Sequence, residues 1–164
     1  MSGDGEQIVV DSSVVAKWLI PEGDSPQALK LRARHKFVVP DILFAEIANI
    51  LWKQVARGAL GPADVEDALA ALQHFKPRIL PSQSLLADAC RLALALNHPA
   101  YDCFYLLAAA RLGTVLVTAD ERLLRKLAAN HAMEWSALAV GLSEAAQLWP
   151  YIKSYSMNPV RRAT

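Results

Sequence analysis

Short β-branched runs alternate with longer helical stretches along this chain, and the first run stops abruptly at a carboxylate. Gln7-Ile8-Val9-Val10-Asp11 lacks polar–apolar alternation, so it suits a parallel strand covered on both faces. Thr114-Val115-Leu116-Val117-Thr118 is the clearest later strand, and Phe37-Val38-Val39 is a briefer one between them. The remaining segments read as helices. They are Ser12 to Ile20, stopped by Pro21; Ser25 to Arg34, with Pro26 at its first position; Ile42 to Arg57, closed by Gly58; and Pro62 to about Phe75. Ser84 to Leu96 and Tyr101 to Leu112 follow, the latter ended by Gly113, and another helix begins near Asp120. This order predicts an α/β domain with a small, mainly parallel central sheet, whose ligands bind outside the carboxyl ends of the strands. Asp11 and Asp120 both fall there.

A chain of 164 residues with 54% hydrophobic content fits one compact domain, expected over residues 1–150. Residues 1–6 read as a disordered overhang and 151–164 as a polar, slightly basic tail, while Ala132 to Leu142 is ambiguous between a last strand and irregular chain. Lys+Arg number 17 against 16 Asp+Glu, so bulk charge identifies no partner and any polyanion site must be local. The longest stretch without a charged residue, Leu92 to Tyr101, is far short of the roughly 20 apolar residues that span a bilayer. The start carries no secretory signal pattern, so a cytoplasmic protein is expected. Cys90 and Cys103 lack metal-binding spacing and read as buried free thiols.

Four carboxylates carry the chemistry. Glu46 sits in the helical run Ile42-Leu43-Phe44-Ala45-Glu46-Ile47-Ala48-Asn49-Ile50-Leu51-Trp52, apolar almost all round. Such a helix is expected to be mostly buried, and an acid within it needs a partner or a metal, unless Glu46, Asn49 and Lys53 form a narrow solvent-facing stripe. Asp102 opens an apolar helix, where an acid can simply offset the macrodipole. Asp120 has a similar structural explanation, and Thr118 with Glu121 has capping-box spacing. Asp11 closes a buried run, so it either caps the next helix or meets a cation.

Together the four say more. Two strand ends and two helix starts can converge on one side of a parallel sheet. Carboxylates about 4 Å apart repel by about 4 kcal/mol at an effective dielectric near 20, so a crowded quartet needs a counter-charge. Oxygen-only ligands favour Mg²⁺ or Mn²⁺ over zinc, and such a site suits phosphodiester hydrolysis. A phosphohydrolase acting on a small phosphate ester fits less well, because Asp11-Ser12-Ser13 lacks a second acid two residues after the first.

Four ordered blocks resemble the PIN-domain ribonucleases, specifically the VapC-type toxins of bacterial toxin–antitoxin pairs. The blocks are Ile8-Val9-Val10-Asp11-Ser12-Ser13-Val14-Val15-Ala16, Pro40-Asp41-Ile42-Leu43-Phe44-Ala45-Glu46-Ile47-Ala48-Asn49, Tyr101-Asp102-Cys103-Phe104-Tyr105-Leu106 and Leu116-Val117-Thr118-Ala119-Asp120-Glu121-Arg122-Leu123. The resemblance implies a three-layer α/β/α sandwich and metal-dependent endonucleolytic cleavage of RNA. It also implies homodimerisation and inhibition by a small VapB-like antitoxin, through which alone operator DNA is contacted. Asp11, Glu46, Asp102 and Asp120 would be the metal-coordinating quartet, with the hydroxyls of Ser12 and Thr118 in support. A catalytically silent interaction module of the same fold, using the apolar Ile42 to Trp52 helix as an interface, is the alternative. The family's usual final strand is hard to find between Ala132 and Leu142.

Other residues read more blandly. Lys30, Arg32, Arg34, His35 and Lys36 form a basic run that reads as a solvated helix end, although it could follow an RNA backbone. Arg122, Arg125 and Lys126 are better placed to meet a phosphate near Asp120. Asn97-His98-Pro99 reads as a connector rather than a source of a ligand or base. Trp18 and Trp52 read as core.

Overall fold

A computed structural model describes residues 7–129 and 133–148. The expected overhang at 1–6 and tail at 151–164 lie outside the described residues. The chain runs β1 (Gln7–Val10), α1 (Ser12–Leu19), α2 (Ser25–Arg32), β2 (Lys36–Pro40), α3 (Ile42–Ala56), α4 (Pro62–Gln73) and β3 (Arg78–Leu80). It continues through a 3₁₀ turn (Ser82–Leu85), α5 (Leu86–Leu96), α6 (Ala100–Leu112), β4 (Leu116–Thr118), α7 (Glu121–Ala129), α8 (Met133–Ser136), β5 (Ala139–Gly141) and α9 (Leu142–Leu148).

The strands form a parallel sheet in the order β3-β2-β1-β4-β5, with Ile8 opposite Phe37 and Val9 opposite Leu116. Ile8, Val9 and Val10 are wholly buried, as expected of a central strand covered on both faces. Helix α6 lies along β1, β2 and β4 with α5 packed on it, while α1 and α9 reach β4 and α2 packs against both. The result is an α/β sandwich. Helix α6 buries Cys103, Phe104, Tyr105, Leu106, Ala108 and Ala109, because its apolar residues face the sheet on one side and α5 on the other. All strands point the same way, so the carboxyl ends of β1 and β4 share one edge of the sheet.

Several expectations are corrected. Helix α3 is not buried all round: Leu43, Ile47 and Leu51 face the core, whereas Phe44, Trp52 and Val55 are exposed. Trp52, 65% exposed, is therefore not a core residue, although Trp18 is buried. Cys90 lies on the outer side of α5 and is exposed; Cys103 is buried as expected. Strand β3 is invisible in the sequence because its side chains are mostly exposed, and backbone pairing to β2 creates it. The ambiguous segment before Leu142 contains β5, whose Gly141 admits α7 closely: a Cβ there would stand 3.2 Å from Leu124 Cδ1.

Candidate metal centre

Asp11 leaves β1 and turns back over the start of α1, where its Oδ1 accepts the backbone N–H groups of Ser13 at 3.0 Å and Val14 at 3.2 Å. It is thus an N-cap, which satisfies donors that every helix start leaves open. It is also more than a cap, being only 3% exposed and gripped by two hydroxyls. Ser13 Oγ donates to Asp11 Oδ1, and Thr118 Oγ1 donates to Asp11 Oδ2. Each hydroxyl is aimed by the turn after β4: Ser13 Oγ accepts Ala119 N–H across from β1, and Thr118 Oγ1 accepts Asp120 N–H within its own turn, both at 2.9 Å. The turns after β1 and β4 are therefore laced together through one carboxylate.

Asp120, just beyond β4, caps α7 by accepting Arg122 N–H at 2.8 Å and Leu123 N–H at 3.2 Å on Oδ1. The capping box expected from Thr118 and Glu121 does not form. Thr118 is wholly buried and serves Asp11 instead. Asp102 lies in the first turn of α6, and His98 Nε2 meets its Oδ2 at 2.6 Å. Glu46, half-buried on α3, accepts the phenolic hydrogen of Tyr105, one turn beyond Asp102 on α6.

Electrostatics joins the four acids. Asp11 is raised to about 6: burial drives the shift upward, the hydroxyl and amide bonds oppose it, and the charge of Asp102 adds a further upward push. Glu46 is raised first by burial and also by Asp102, against the Tyr105 and Ser12 hydrogen bonds. Asp102 is raised by burial and by Asp120, while His98 and Arg122 oppose the shift. Asp102 is thus the centre of a field that reaches the other three carboxylates. Tyr105 is held far above its ordinary range by burial and Glu46, so its phenol stays a donor.

The donor set is oxygen-rich and short of positive charge, which fits a hard divalent cation. Among the described residues, no three His, Cys, Asp or Glu side chains stand close enough together to form an ion cage. The carboxylates are near enough to repel, with their oxygens turned to protein donors.

The sequence reading missed two of the supporting groups and underrated a third. Ser13 supports Asp11, while Ser12 hydrogen-bonds Glu46; the signal for Ser13 is its spacing two residues after a strand-closing acid. Tyr105 sits in a run that reads as apolar in the sequence, yet a buried phenol needs an acceptor and finds it in Glu46. His98 does lie in the connector before α6, yet it also holds Asp102, one helical turn away. Ser13→Ala deletes a donor to Asp11 and the acceptor of Ala119 N–H, so it should cost about 1–3 kcal/mol of stability. Urea unfolding of the metal-free protein checks this, and an unchanged midpoint would remove Ser13 from the clamp.

Comparison with known proteins agrees with this architecture. The family model described as PIN domain matches residues 8–130. Ribonuclease VapC3 of Pyrobaculum aerophilum is 33% identical over 126 residues, covering 75% of this chain and 96% of that protein. Ribonuclease VapC3 of Mycobacterium tuberculosis is 35% identical over 129 residues, covering 78% and 93%. The crystal structure of PAE2754 from Pyrobaculum aerophilum superposes with a TM-score of 0.64 over 92% of this chain and 91% of that one, at 22% identity, and so attests the fold. With four acids gathered at the carboxyl edge of a parallel sheet and relatives matched over nearly their whole length, the chain belongs to the PIN domain family, in its VapC group.

Proposed function

We propose that this protein is a metal-dependent endoribonuclease that cleaves RNA phosphodiester bonds as the toxin of a VapBC-type pair. The observation that carries the reading is the electrostatic coupling of Asp102 to Asp11, Glu46 and Asp120, four acids from four separate elements. A structural acid has no need of three like-charged neighbours, whereas a phosphodiesterase centre does. Asp11, Glu46, Asp102 and Asp120 would hold Mg²⁺ or Mn²⁺, which when bound would activate water and offset charge on the phosphate oxygens.

The chain's own residues prepare that site. Ser13 and Thr118 fix both oxygens of Asp11, so its charge need not be reorganised on ligand entry. Tyr105 orients Glu46 and His98 orients Asp102; ligand-orienting bonds of this kind set affinity as much as the ligands do. Ser12 supports Glu46 in the same way. Arg122, exposed on α7 and felt by Asp102, stands ready to meet a substrate phosphate.

The reading extends to partners: RNA as substrate, a small VapB-like antitoxin, a second copy of the chain, and operator DNA reached only through the antitoxin. The exposed Phe44, Trp52 and Val55 of α3, with Leu86, Leu94 and Tyr101 of α5 and α6, supply apolar surface for such assembly. The same exposure suits a catalytically silent interaction module, which titration calorimetry without detectable Mg²⁺ or Mn²⁺ binding near neutral pH would favour. The reading places one PIN domain over residues 1–150 and a tail over 151–164. None of the described helices is long and apolar enough to cross a membrane.

The test is direct. Purified protein stripped with EDTA should leave single-stranded RNA intact, and adding Mg²⁺ or Mn²⁺ should start internal cleavage. Cutting that persists undiminished in EDTA would overturn the metal mechanism.

A further inference from the structure

The acidic quartet poses a problem for its own substrate. RNA is a polyanion, four carboxylates repel it, and a chain with 17 cations against 16 anions supplies no general attraction. Beyond the ion the quartet would hold and the cations of α7 beside it, substrate affinity gains from positive charge concentrated elsewhere.

The structure concentrates it at the opposite pole of the sheet. Gln7, Lys36 and Arg78 stand at the amino ends of β1, β2 and β3, and there they border a concave cavity of about 410 Å³. Arg32 and His35 enter from the end of α2, and His74, Phe75 and Lys76 from the connector between α4 and β3. Four permanent cations and two imidazoles thus line one cavity, and no Asp or Glu among the described residues does. Arg32 is fixed in place, its guanidinium 5.6 Å from the centre of the buried Trp18 ring. A volume of this size falls in the range of small-molecule sites and admits a phosphate with its sugar and base. Planar guanidinium groups recognise phosphate oxygens in pairs, and the exposed ammonium group of Lys76 adds point charge.

We infer that this cavity is a second RNA-binding site, which holds a backbone phosphate of the substrate strand away from the point of cleavage. This rests on the ribonuclease reading for the identity of its ligand. The basic segment Lys30 to Lys36 is then more than a solvated helix end, since Arg32, His35 and Lys36 turn into the cavity wall. The fold explains the division of labour. In a parallel sheet the carboxyl ends carry the acids that hold the ion and the amino ends are left for attraction. A strand bound at both poles is retained by more positive charge than the catalytic end provides by itself.

The test uses full-length protein in EDTA, so that binding is read without cleavage. Anisotropy of a labelled single-stranded RNA is followed across a salt series for wild type, Lys76→Ala, and the Lys76→Ala/Arg78→Ala pair. Both side chains are exposed and β3 pairs through its backbone, so neither change should disturb the fold. The pair should weaken binding about tenfold or more and flatten the slope of log affinity against log salt by about 1.4, at about 0.7 per phosphate contact on a single strand. Lys76→Ala alone should give about half that change in slope. Equal removal of charge outside the cavity, by Arg57→Ala with Arg91→Ala, should leave the slope near wild type.

Unchanged affinity and slope in the pair would overturn the inference, as would an equal loss from the Arg57 and Arg91 variant. Displacement of RNA by AMP at concentrations near the RNA's own Kd would assign the cavity to free nucleotides and overturn it as well. Cleavage is assayed separately with added ion. Intact cleavage with unaltered RNA binding in the pair defeats this inference alone, whereas no cleavage by wild type with binding lost in the pair defeats the nuclease reading alone.

Discussion

Asp102→Asn is expected to reduce metal-dependent RNA cleavage by about 10³-fold or more, corresponding to roughly 4 kcal/mol of lost transition-state stabilisation. Asp102 is the informative choice because its charge reaches Asp11, Glu46 and Asp120. Removing it withdraws one anion from the cation's surroundings and weakens the negative field that attracts the ion. The amide keeps nearly the shape of the acid and retains an oxygen for His98 Nε2, so the first turn of α6 should be undisturbed. Asp11→Asn is harsher, since Thr118 Oγ1 already accepts Asp120 N–H and donates to Asp11; an amide nitrogen facing it would add a second donor. In the absence of metal, Asp102→Asn should be at least as stable as wild type, because the burial of its charge and the repulsion from Asp120 outweigh the attraction of His98 and Arg122. Cleavage rates at saturating Mg²⁺ or Mn²⁺, with urea unfolding in EDTA, measure both halves. Undiminished cleavage by Asp102→Asn would end the proposed mechanism, while lost cleavage together with a destabilised fold would reduce Asp102 to a structural acid.

The main outline of the fold was legible in the sequence because β1 and β4 are so strongly apolar. A β-branched run buried on both faces has few alternative placements, and the helices between such runs dictate parallel pairing. What was not legible had little side-chain signal of its own. Strand β3 pairs through its backbone while its side chains remain largely exposed, and the three residues of β5 gain order from their neighbours. Helix α3 misled for another reason: apolar composition around a whole helix suggests burial, yet Phe44, Trp52 and Val55 face outward. The four acids were readable as strand-end and helix-start residues. Their supports were less so: Tyr105 meets Glu46 only when α6 and α3 come together, Ser13 meets Ala119 only across the turns after β1 and β4, and His98, four residues before Asp102, sits in what reads as a plain connector. Ser12 against Ser13 illustrates the limit, for adjacent hydroxyls look alike in sequence, and backbone direction sends one toward Glu46 and the other to Asp11.

Stability of the metal-free protein should carry the signature of Asp11 as pH rises. Its carboxyl group titrates near the ordinary value of 3.8 when unfolded and is pushed up to about 6 in the folded chain, chiefly by burial. A raised folded value means that the native state binds the proton more tightly than the unfolded state. The contribution therefore favours folding fully below about pH 4 and is lost as pH climbs through about 6, amounting to about 3 kcal/mol at 1.36 kcal/mol per unit. Other carboxylates shape the overall curve, so the quantity to measure is the difference between wild type and Asp11→Asn, in which pH-independent costs of the amide appear only as a constant offset. In EDTA that difference should shift against wild type by about 3 kcal/mol between pH 4 and pH 7. Mg²⁺ should oppose the shift, since a cation that prefers the ionised carboxylate stabilises the fold more at pH 7 than at pH 4.5. A difference that is flat across this range would show that Asp11 titrates alike in both states, and that its burial among Ser13, Val14 and Thr118 is fully compensated by the bonds they make.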